Sequence, residues 1–222
     1  MHFTRRGFDM LDKTNAPLQE VDKEWVVSSQ NKKGLAYIAL VIWFALSLVG
    51  LASLSVNHIF AMPIPKDEVK VTRSIWTLRK GQEPYFVVHV IYQNCSCTES
   101  LFAHLLQRGR FPKSEELILF VGENDGKKKK ALEKGFRFLQ SDATHLEVKY
   151  GLESAPVLLV FDGRGQMRYI GGYYNHPSAI FPLDVKVFEQ VNHQKAPKTL
   201  PIFGCAVRRG VQKSMDPFGL VY

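Results

Sequence analysis

Residues 85–97 read YFVVHVIYQNCSC, and this stretch decides the fold class. Its first part, 85–92, is rich in β-branched and aromatic residues and short enough to be a buried strand. Ser96 and Glu99 follow with the spacing of a capping box, in which Ser96 caps a helix and Glu99 reaches back to it. The pattern therefore predicts that Cys95 and Cys97 lie at a strand-to-helix junction, on the first turn of a helix.

Strand and helix patterns alternate on the carboxyl side of this motif. A strand is predicted at 117–121 (LILFV) and a polar helix at 124–134. Further along, Pro156 leads directly into VLLVF at 157–161, a glycine-containing turn and QMRYIGGY at 166–173, which is the pattern of an antiparallel hairpin. A proline at the first position of a strand removes no ladder donor. We therefore expect an α/β domain.

An uncharged apolar run precedes this domain. Residues 35–56 read LAYIALVIWFALSLVGLASLSV, and a helix of this length crosses a hydrocarbon core of about 30 Å. We predict a single transmembrane helix over 34–56, followed by a linker over 57–69. Lys32 and Lys33 flank its amino-terminal edge, so the positive-inside rule places residues 1–33 in the cytoplasm. In a Gram-negative host the anchor lies in the inner membrane and the main domain is periplasmic, where disulfides persist.

In this order, the elements resemble the thioredoxin superfamily. The strand before Cys95 and the segment YGLESAPVLLVFDGRGQMRYIGGY around Pro156 carry the resemblance, which is strongest to membrane-anchored thioredoxin-like proteins of the bacterial envelope. It covers residues 70–192 and leaves 193–222 as a carboxyl-terminal extension. It implies a central mixed sheet flanked by helices, with Cys95 as the attacking cysteine and Pro156 as a cis-proline. It also implies that the backbone of Ala155 pairs with a substrate's extended chain.

The redox motif departs from the family pattern, because Cys95-Ser96-Cys97 is C-x-C where the family has C-x-x-C. A helix amino terminus favours the thiolate, which is the reactive form of cysteine. A bridge between residues two apart closes a small ring, and we expect it to pass readily to a substrate. The leading hypothesis is a membrane-tethered thiol–disulfide oxidoreductase that acts on protein thiols and needs no cofactor. In this hypothesis Cys95 attacks and Cys97 resolves, but the shortened motif leaves the two roles open, because Cys97 lies deeper in the helix amino terminus and is the other candidate for the more acidic cysteine.

Two other functions stay open. Two thiolates and a histidine suit Cu(I), so the protein is alternatively a copper metallochaperone with Cys95, Cys97 and either His145 or His176 as ligands. It is otherwise a thioredoxin-like assembly factor without redox activity. The third cysteine, Cys205, is either a relay thiol that exchanges with the pair or a packed side chain under the extension.

The charge pattern does not indicate nucleic-acid binding. The net charge is +8, and part of it comes from the single run Lys127–Lys130. The other basic residues are mixed with acidic ones, and no basic stripe alternates with aromatic residues. We therefore expect protein thiols or disulfides and the membrane as partners, and no nucleic acid.

Overall fold

The computed structural model describes residues 34–51, 61–65 and 67–215, and the chain divides into two compact units near residue 53. In the first unit, helix α1 spans Gly34–Leu51 and is long and apolar enough to cross a membrane. The end of the predicted span (52–56), the predicted cytoplasmic segment 1–33 and residues 57–60 and 66 of the predicted linker lie outside the described residues.

The second unit is built on a five-stranded mixed sheet with the strand order β3-β2-β1-β5-β6. Its elements, in chain order, are α2 (Glu68–Trp76), β1 (Tyr85–Tyr92), α3 (Thr98–Arg108), β2 (Ser114–Val121), α4 (Asp125–Glu133), β3 (Arg137–Ser141), α5 (Ala143–Tyr150), β4 (Ser154–Ala155), β5 (Val157–Asp162), β6 (Met167–Gly171), α6 (Asp184–Asn192), β7 (Cys205–Ala206) and α7 (Arg209–Met215). Strands β1, β2 and β3 are parallel, whereas β5 is antiparallel to both β1 and β6. The predicted α/β class and thioredoxin-like arrangement are confirmed.

The sheet separates two hydrophobic cores, which explains the nearly continuous apolar sequence of its central strands. Alternate residues of β1 point to opposite faces, so Phe86 and Val88 join one core and Val87 and Ile91 join the other. Helices α2 and α5 cover the first face, and α3, α4 and α6 cover the second. Strand β1 is therefore buried on both faces. The cysteine motif begins shortly after this strand ends.

The start of α3 differs from the predicted capping box. The amino-terminal cap is Cys97, with no side-chain capping bond, and Ser96 is exposed in the turn before it. Glu99 points away from the cap and pairs with Lys127 Nζ at 2.5 Å. The hydroxyl of buried Thr98 donates to the carbonyl of Tyr92, which ties the helix start to the end of β1. The prediction of Ser96 as the cap was wrong because the turn through the cysteines shifts the helix start by one residue.

A buried polar network crosses the core on the α3 side of the sheet. Its centre is Arg108, which donates to Glu116 Oε2 at 2.9 Å and to Asp184 Oδ2 at 2.8 Å. His89 is fully buried, and its ring nitrogens lie 2.8 Å from Glu116 Oε2 and 2.7 Å from the Tyr173 hydroxyl. The network therefore joins α3 to β1, β2 and the start of α6.

The same network holds both ends of the loop over 174–183. Tyr173 precedes this loop and Asp184 follows it, and the Leu183 N–H donates to the Tyr173 carbonyl at 2.8 Å. His104 adds a second contact from α3, with its Nε2 atom 2.8 Å from Asp184 Oδ1. The loop and the carboxyl-terminal half of α3 are thus fixed to one buried cluster.

The environment of the network keeps its carboxylates ionised and its buried histidine neutral. Burial alone would raise the pKa of Glu116, but hydrogen bonds from His89 and Arg108 and the charge of Arg108 lower it to about 2. Burial would likewise raise the pKa of Asp184, but the hydrogen bond to His104 and the charge of Arg108 lower it to about 2. Burial lowers the pKa of His89 below its usual value, and this effect exceeds the opposing attraction of Glu116.

Replacing the central cation should therefore destabilise the protein strongly. We expect Arg108→Met to lower the free energy of unfolding by about 3–5 kcal/mol, because Glu116 and Asp184 then remain buried without their shared partner. Urea denaturation of the full chain in detergent micelles measures the change. Arg164→Met, at an exposed position in the hairpin turn, is the matched control and should change stability by no more than about 0.5 kcal/mol. Equal effects of the two variants would contradict a stabilising role for the network.

Stability should also fall in acid. The pKa values of Glu116 and Asp184 are depressed from 4.5 and 3.8, so their contribution is complete above those values and is lost as the pH falls toward about 2. Burial in the folded state also keeps the pKa of His89 below 6.5. The unfolded chain therefore takes up this proton more readily, and the folded state loses further stability as the pH falls below 6.5. Urea midpoints between pH 7 and pH 3 should decrease steadily, and Glu116→Gln should reduce the slope below about pH 4.5. Midpoints that do not change with pH would contradict the expectation.

Candidate functional site

Cys95 and Cys97 form a disulfide at the start of α3, with their Cα atoms 5.3 Å apart. The turn is held by the backbone, since Cys95 N–H donates to the Tyr92 carbonyl at 3.1 Å and Thr98 N–H donates to the Cys95 carbonyl at 3.0 Å. The two cysteines differ in exposure. Cys95 is 5% exposed and Cys97 is partly exposed, so Cys97 is the more accessible of the two to a solvent-borne thiol.

Pro156 lies between β4 and β5, and the Ala155–Pro156 peptide bond is cis. Ala155 is fully buried, and Val157, directly after the proline, pairs with Val90 of β1. Pro156 thus lies near the carboxyl-terminal end of β1, and the cysteine motif follows that same end.

The third cysteine lies across from this proline. Strand β7 pairs antiparallel with β4, and Cys205 is the register partner of Ala155. Gly204 approaches the proline so closely that a Cβ atom there would lie 2.1 Å from the Ala155 carbonyl oxygen and 2.4 Å from Pro156 Cδ. No side chain fits at that position without moving the backbone, so the contact between β7 and the Ala155–Pro156 peptide requires glycine.

The segment that carries Cys205, residues 200–207, is named here the carboxyl-terminal strap. Ile202 and Ala206 are fully buried in the core on the α2 side of the sheet. The carbonyl of Ile202 accepts a hydrogen bond from Met62 N–H at 2.7 Å, and the carbonyl of Leu200 accepts one from Gly172 N–H at 3.0 Å. The strap is therefore part of the folded core, and Met62 of the predicted linker packs with it.

One cavity brings the three cysteines together. Its volume is about 220 Å³. It is lined by Cys95, Ser96, Cys97 and Ser100 from the start of α3, by Tyr174, Pro177, Ala179 and Ile180 from the 174–183 loop, and by Phe203, Gly204 and Cys205 from the strap. Three separate segments of the chain thus meet at the disulfide. At its rim, Ile180 and the adjacent Phe181 are 81% and 79% exposed.

The structure does not bring the predicted histidine ligands to the cysteines as one group. His145 lines a different cavity and pairs with Asp142, 2.6 Å from its Oδ2 atom. His176 is exposed in the 174–183 loop. Within residues 34–51, 61–65 and 67–215, no group of three or more histidine, cysteine or acidic side chains is placed to hold a metal ion.

Sequence reasoning identified Cys95, Cys97, Pro156 and Cys205 but missed what surrounds them. The strand pattern places His89 inside β1 but does not indicate its partners Glu116 and Tyr173. Two acidic residues next to the apolar run of β2 are a signal of buried charge, but their cations, Arg137 and Arg108, lie on other elements. Sequence reasoning also missed the role of Gly204, which depends on a contact with a residue far away in sequence.

Comparisons with known proteins add little. No family model matches the chain, and no curated protein matches it significantly. Similar solved structures include a hypothetical protein from Sinorhizobium meliloti 1021 (15% identity, TM-score 0.48), over 67% of this chain and 91% of that one. An uncharacterized conserved protein from Geobacillus kaustophilus has 18% identity and a TM-score of 0.46, over 57% of this chain and 77% of that one.

A third similar structure is the thioredoxin domain of a thiol-disulfide oxidoreductase from Bacteroides vulgatus. It has 14% identity and a TM-score of 0.30, over 39% of this chain and 68% of that one.

The contact of Gly204 with the cis-proline predicts a specific mutational effect. Gly204→Ala should lower the free energy of unfolding by about 1–3 kcal/mol, because the added methyl group forces the strap away from Ala155. Amide hydrogen exchange of residues 200–207 should then become faster. Gly126→Ala in α4 is the matched control, since its Cβ meets only the Asn124 side chain at 3.5 Å. Unchanged exchange in Gly204→Ala would show that the contact does not hold the strap.

Proposed function

We propose that this protein is a thiol–disulfide oxidoreductase, tethered to a membrane by α1, that exchanges the Cys95–Cys97 disulfide with the thiols of other proteins. The observation that supports this proposal most is a disulfide at a helix start that opens on a cavity lined also by Gly204 and Cys205, which are neighbours of the Ala155–Pro156 peptide. In a Gram-negative host, the anchor lies in the inner membrane and the catalytic domain in the periplasm.

The difference in exposure suggests the direction of attack. The sulfur that a substrate thiolate attacks depends on access, and here Cys97 is the more exposed cysteine. A substrate thiolate attacks the Cys97 sulfur, the Cys95–Cys97 bond breaks, and Cys95 leaves as a thiolate that takes up a proton. A second substrate thiolate then attacks the substrate sulfur of the mixed disulfide, which releases Cys97 and an oxidised substrate. In this order Cys97, rather than the Cys95 expected from the resemblance, carries the substrate.

The position of Cys97 as the helix cap supports its release. The amino terminus of a helix favours a negative charge by about 0.3–1 kcal/mol. Cys97 is the cap of α3, so this stabilisation acts directly on its thiolate. A thiol that ionises easily is also a good leaving group. The mixed disulfide at Cys97 therefore releases oxidised substrate quickly, with Cys97 as the leaving thiolate, which suits an oxidase or isomerase.

The rim of the cavity suits a polypeptide substrate. Ile180, which lines the cavity, and Phe181, which follows it in the chain, present two large apolar side chains to solvent. Exposed apolar groups beside a reactive site favour apolar side chains on the substrate. We therefore propose substrates whose cysteine is flanked by apolar residues, as in an unfolded or partly folded chain.

Trapping experiments test this proposal in a Cys205→Ser background, where the third thiol cannot take part. The oxidised protein should oxidise a peptide dithiol, and either Cys95→Ser or Cys97→Ser should lower turnover by more than about 100-fold. With the same peptide supplied in its disulfide form, Cys95→Ser, which keeps the exposed cysteine, should form the larger amount of mixed disulfide, because the Cys97 thiolate attacks the peptide disulfide and displaces one peptide thiolate. Mass spectrometry of alkylated samples measures the adducts, and the double variant Cys95→Ser/Cys97→Ser is the control.

Two results would count against the proposal. If the oxidised protein left the peptide dithiol reduced and neither single variant formed an adduct, the disulfide would be structural and the function refuted. If adducts formed mainly in Cys97→Ser, oxidoreductase activity would stand and the assignment of Cys97 as the attacked sulfur would be wrong.

A further inference from the structure

The edge of β4 beside Pro156 is already paired with the chain's own strap. Ala155 has Cys205 as its register partner, and Ser154 has Ala206. Beyond the strand, the Val207 N–H donates to the Glu153 carbonyl at 2.8 Å. The thioredoxin resemblance implies that an extended substrate pairs with this backbone. In this protein a segment of the same chain holds that position.

Strand β7 also carries a cysteine, Cys205, at the register position that a residue of a paired substrate would occupy. Cys205 lies outside the Cys95–Cys97 disulfide but lines the same cavity. A substrate that paired with Ala155 in this register would present its own residue where Cys205 now lies. Strand β7 thus has the two features of a thiol substrate, an extended backbone on β4 and a cysteine facing the disulfide cavity.

The strap is held in place by contacts on both sides of the cysteine. Ile202 on one side and Val207 on the other are buried, and Gly204 lies against the Ala155–Pro156 peptide. These contacts keep Cys205 near the disulfide without any external partner. Holding two reacting groups in one site raises their effective concentration strongly. Exchange within the chain therefore has an advantage over exchange with a dissolved thiol.

We propose that Cys205 is a built-in third exchanging thiol, presented by β7 as an internal substrate of the Cys95–Cys97 disulfide; this inference rests on the proposed function. The Cys205 thiolate attacks one sulfur of the disulfide, a new bond to Cys205 forms, and the Cys95–Cys97 bond breaks. The displaced cysteine leaves as a thiolate and takes up a proton. The step moves one disulfide within the chain, so it needs no oxidant or reductant.

The exchange changes which cysteine carries the disulfide that an external thiol attacks. With β7 in place, an external chain cannot pair with Ala155, because β7 occupies that edge. A Cys205-linked disulfide puts the oxidising bond on the strap, while the displaced cysteine of the pair becomes a thiol. Cys205 is then a relay between the pair at α3 and an outside thiol.

Alkylation of the oxidised full chain in detergent micelles tests the exchange without adding an oxidant. The protein is equilibrated, treated with N-ethylmaleimide and mapped by mass spectrometry. We expect a fraction of molecules with Cys205 in a disulfide and Cys95 or Cys97 alkylated. Alkylation of Cys205 alone in every molecule would contradict a populated exchange product.

Single-cysteine variants give the second test. Cys95→Ser and Cys97→Ser each leave one cysteine of the pair beside Cys205, and oxidised glutathione supplies the oxidant and is reduced to glutathione. We expect an internal disulfide to Cys205 in at least one variant, formed at least about 10-fold faster than the glutathione adduct. If both variants yielded only glutathione adducts and unlinked Cys205, the inference would be overturned.

The matched control places the third thiol at a different position that lines the same cavity. Cys205→Ser/Ala179→Cys, in the background of the variant that forms the internal disulfide, keeps a thiol in the cavity but takes it off β7. Slower bond formation from position 179 would support presentation by the strap, and an equal rate would contradict it. Circular dichroism and urea midpoints confirm that each variant is folded.

The two proposals fail separately. Oxidation of a peptide dithiol by the Cys205→Ser protein, without any Cys205 adduct in the other variants, would leave the oxidoreductase function standing and remove only the relay.

Discussion

The buried ion pairs of Arg108 are the interaction on which the geometry of the site depends. One guanidinium at the end of α3 holds Glu116 of β2 and Asp184 of α6, while His89 and Tyr173 extend the network to β1 and to the start of the 174–183 loop. The amino terminus of α3 carries the disulfide, and the loop forms one wall of its cavity. A charged cluster in the core thus positions two of the three segments that line the site. Buried pairs of this kind cost desolvation energy, so their value lies in orientation as much as in stability.

The third segment, the strap, is positioned by close backbone packing. Gly172 and Gly204 allow the strap to cross β6 and the cis-proline at distances that a Cβ atom would prevent. Its burial and its pairing with β4 make the chain's own Cys205 the neighbour of Ala155. Under the proposed function, the site therefore combines features of an oxidoreductase and of its substrate in one chain. This arrangement connects the shortened C-x-C motif with a third cysteine that a two-thiol mechanism leaves unexplained.

Much of the fold was predictable because its signals are local. The composition of 85–92 predicts a buried strand, and the hairpin after Pro156 follows from two apolar runs around a glycine turn; both are confirmed by β1, β5 and β6. The polar helix predicted over 124–134 contains α4, because Asn124 caps the start of that helix by accepting a hydrogen bond from the Lys127 N–H. The prediction of Ser96 as the cap of α3 was wrong, because the turn through the cysteines sets the first residue of the helix. The sequence pattern fits a cap at Ser96 and a cap at Cys97 equally well.

By itself, the sequence determined the α/β class, the apolar span of α1 and the strand-to-helix junction of the cysteines, since each depends on residues that are neighbours in the chain. Only the tertiary structure decided which distant residues meet. Arg108 finds Asp184, and Cys205 comes to lie opposite Ala155, through contacts between elements about 50 to 80 residues apart. Side-chain burial, and with it the greater access to Cys97, is likewise a property of the packed core. The cysteine motif was visible from the start, but its cavity and its third thiol came from the way the chain folds back on itself.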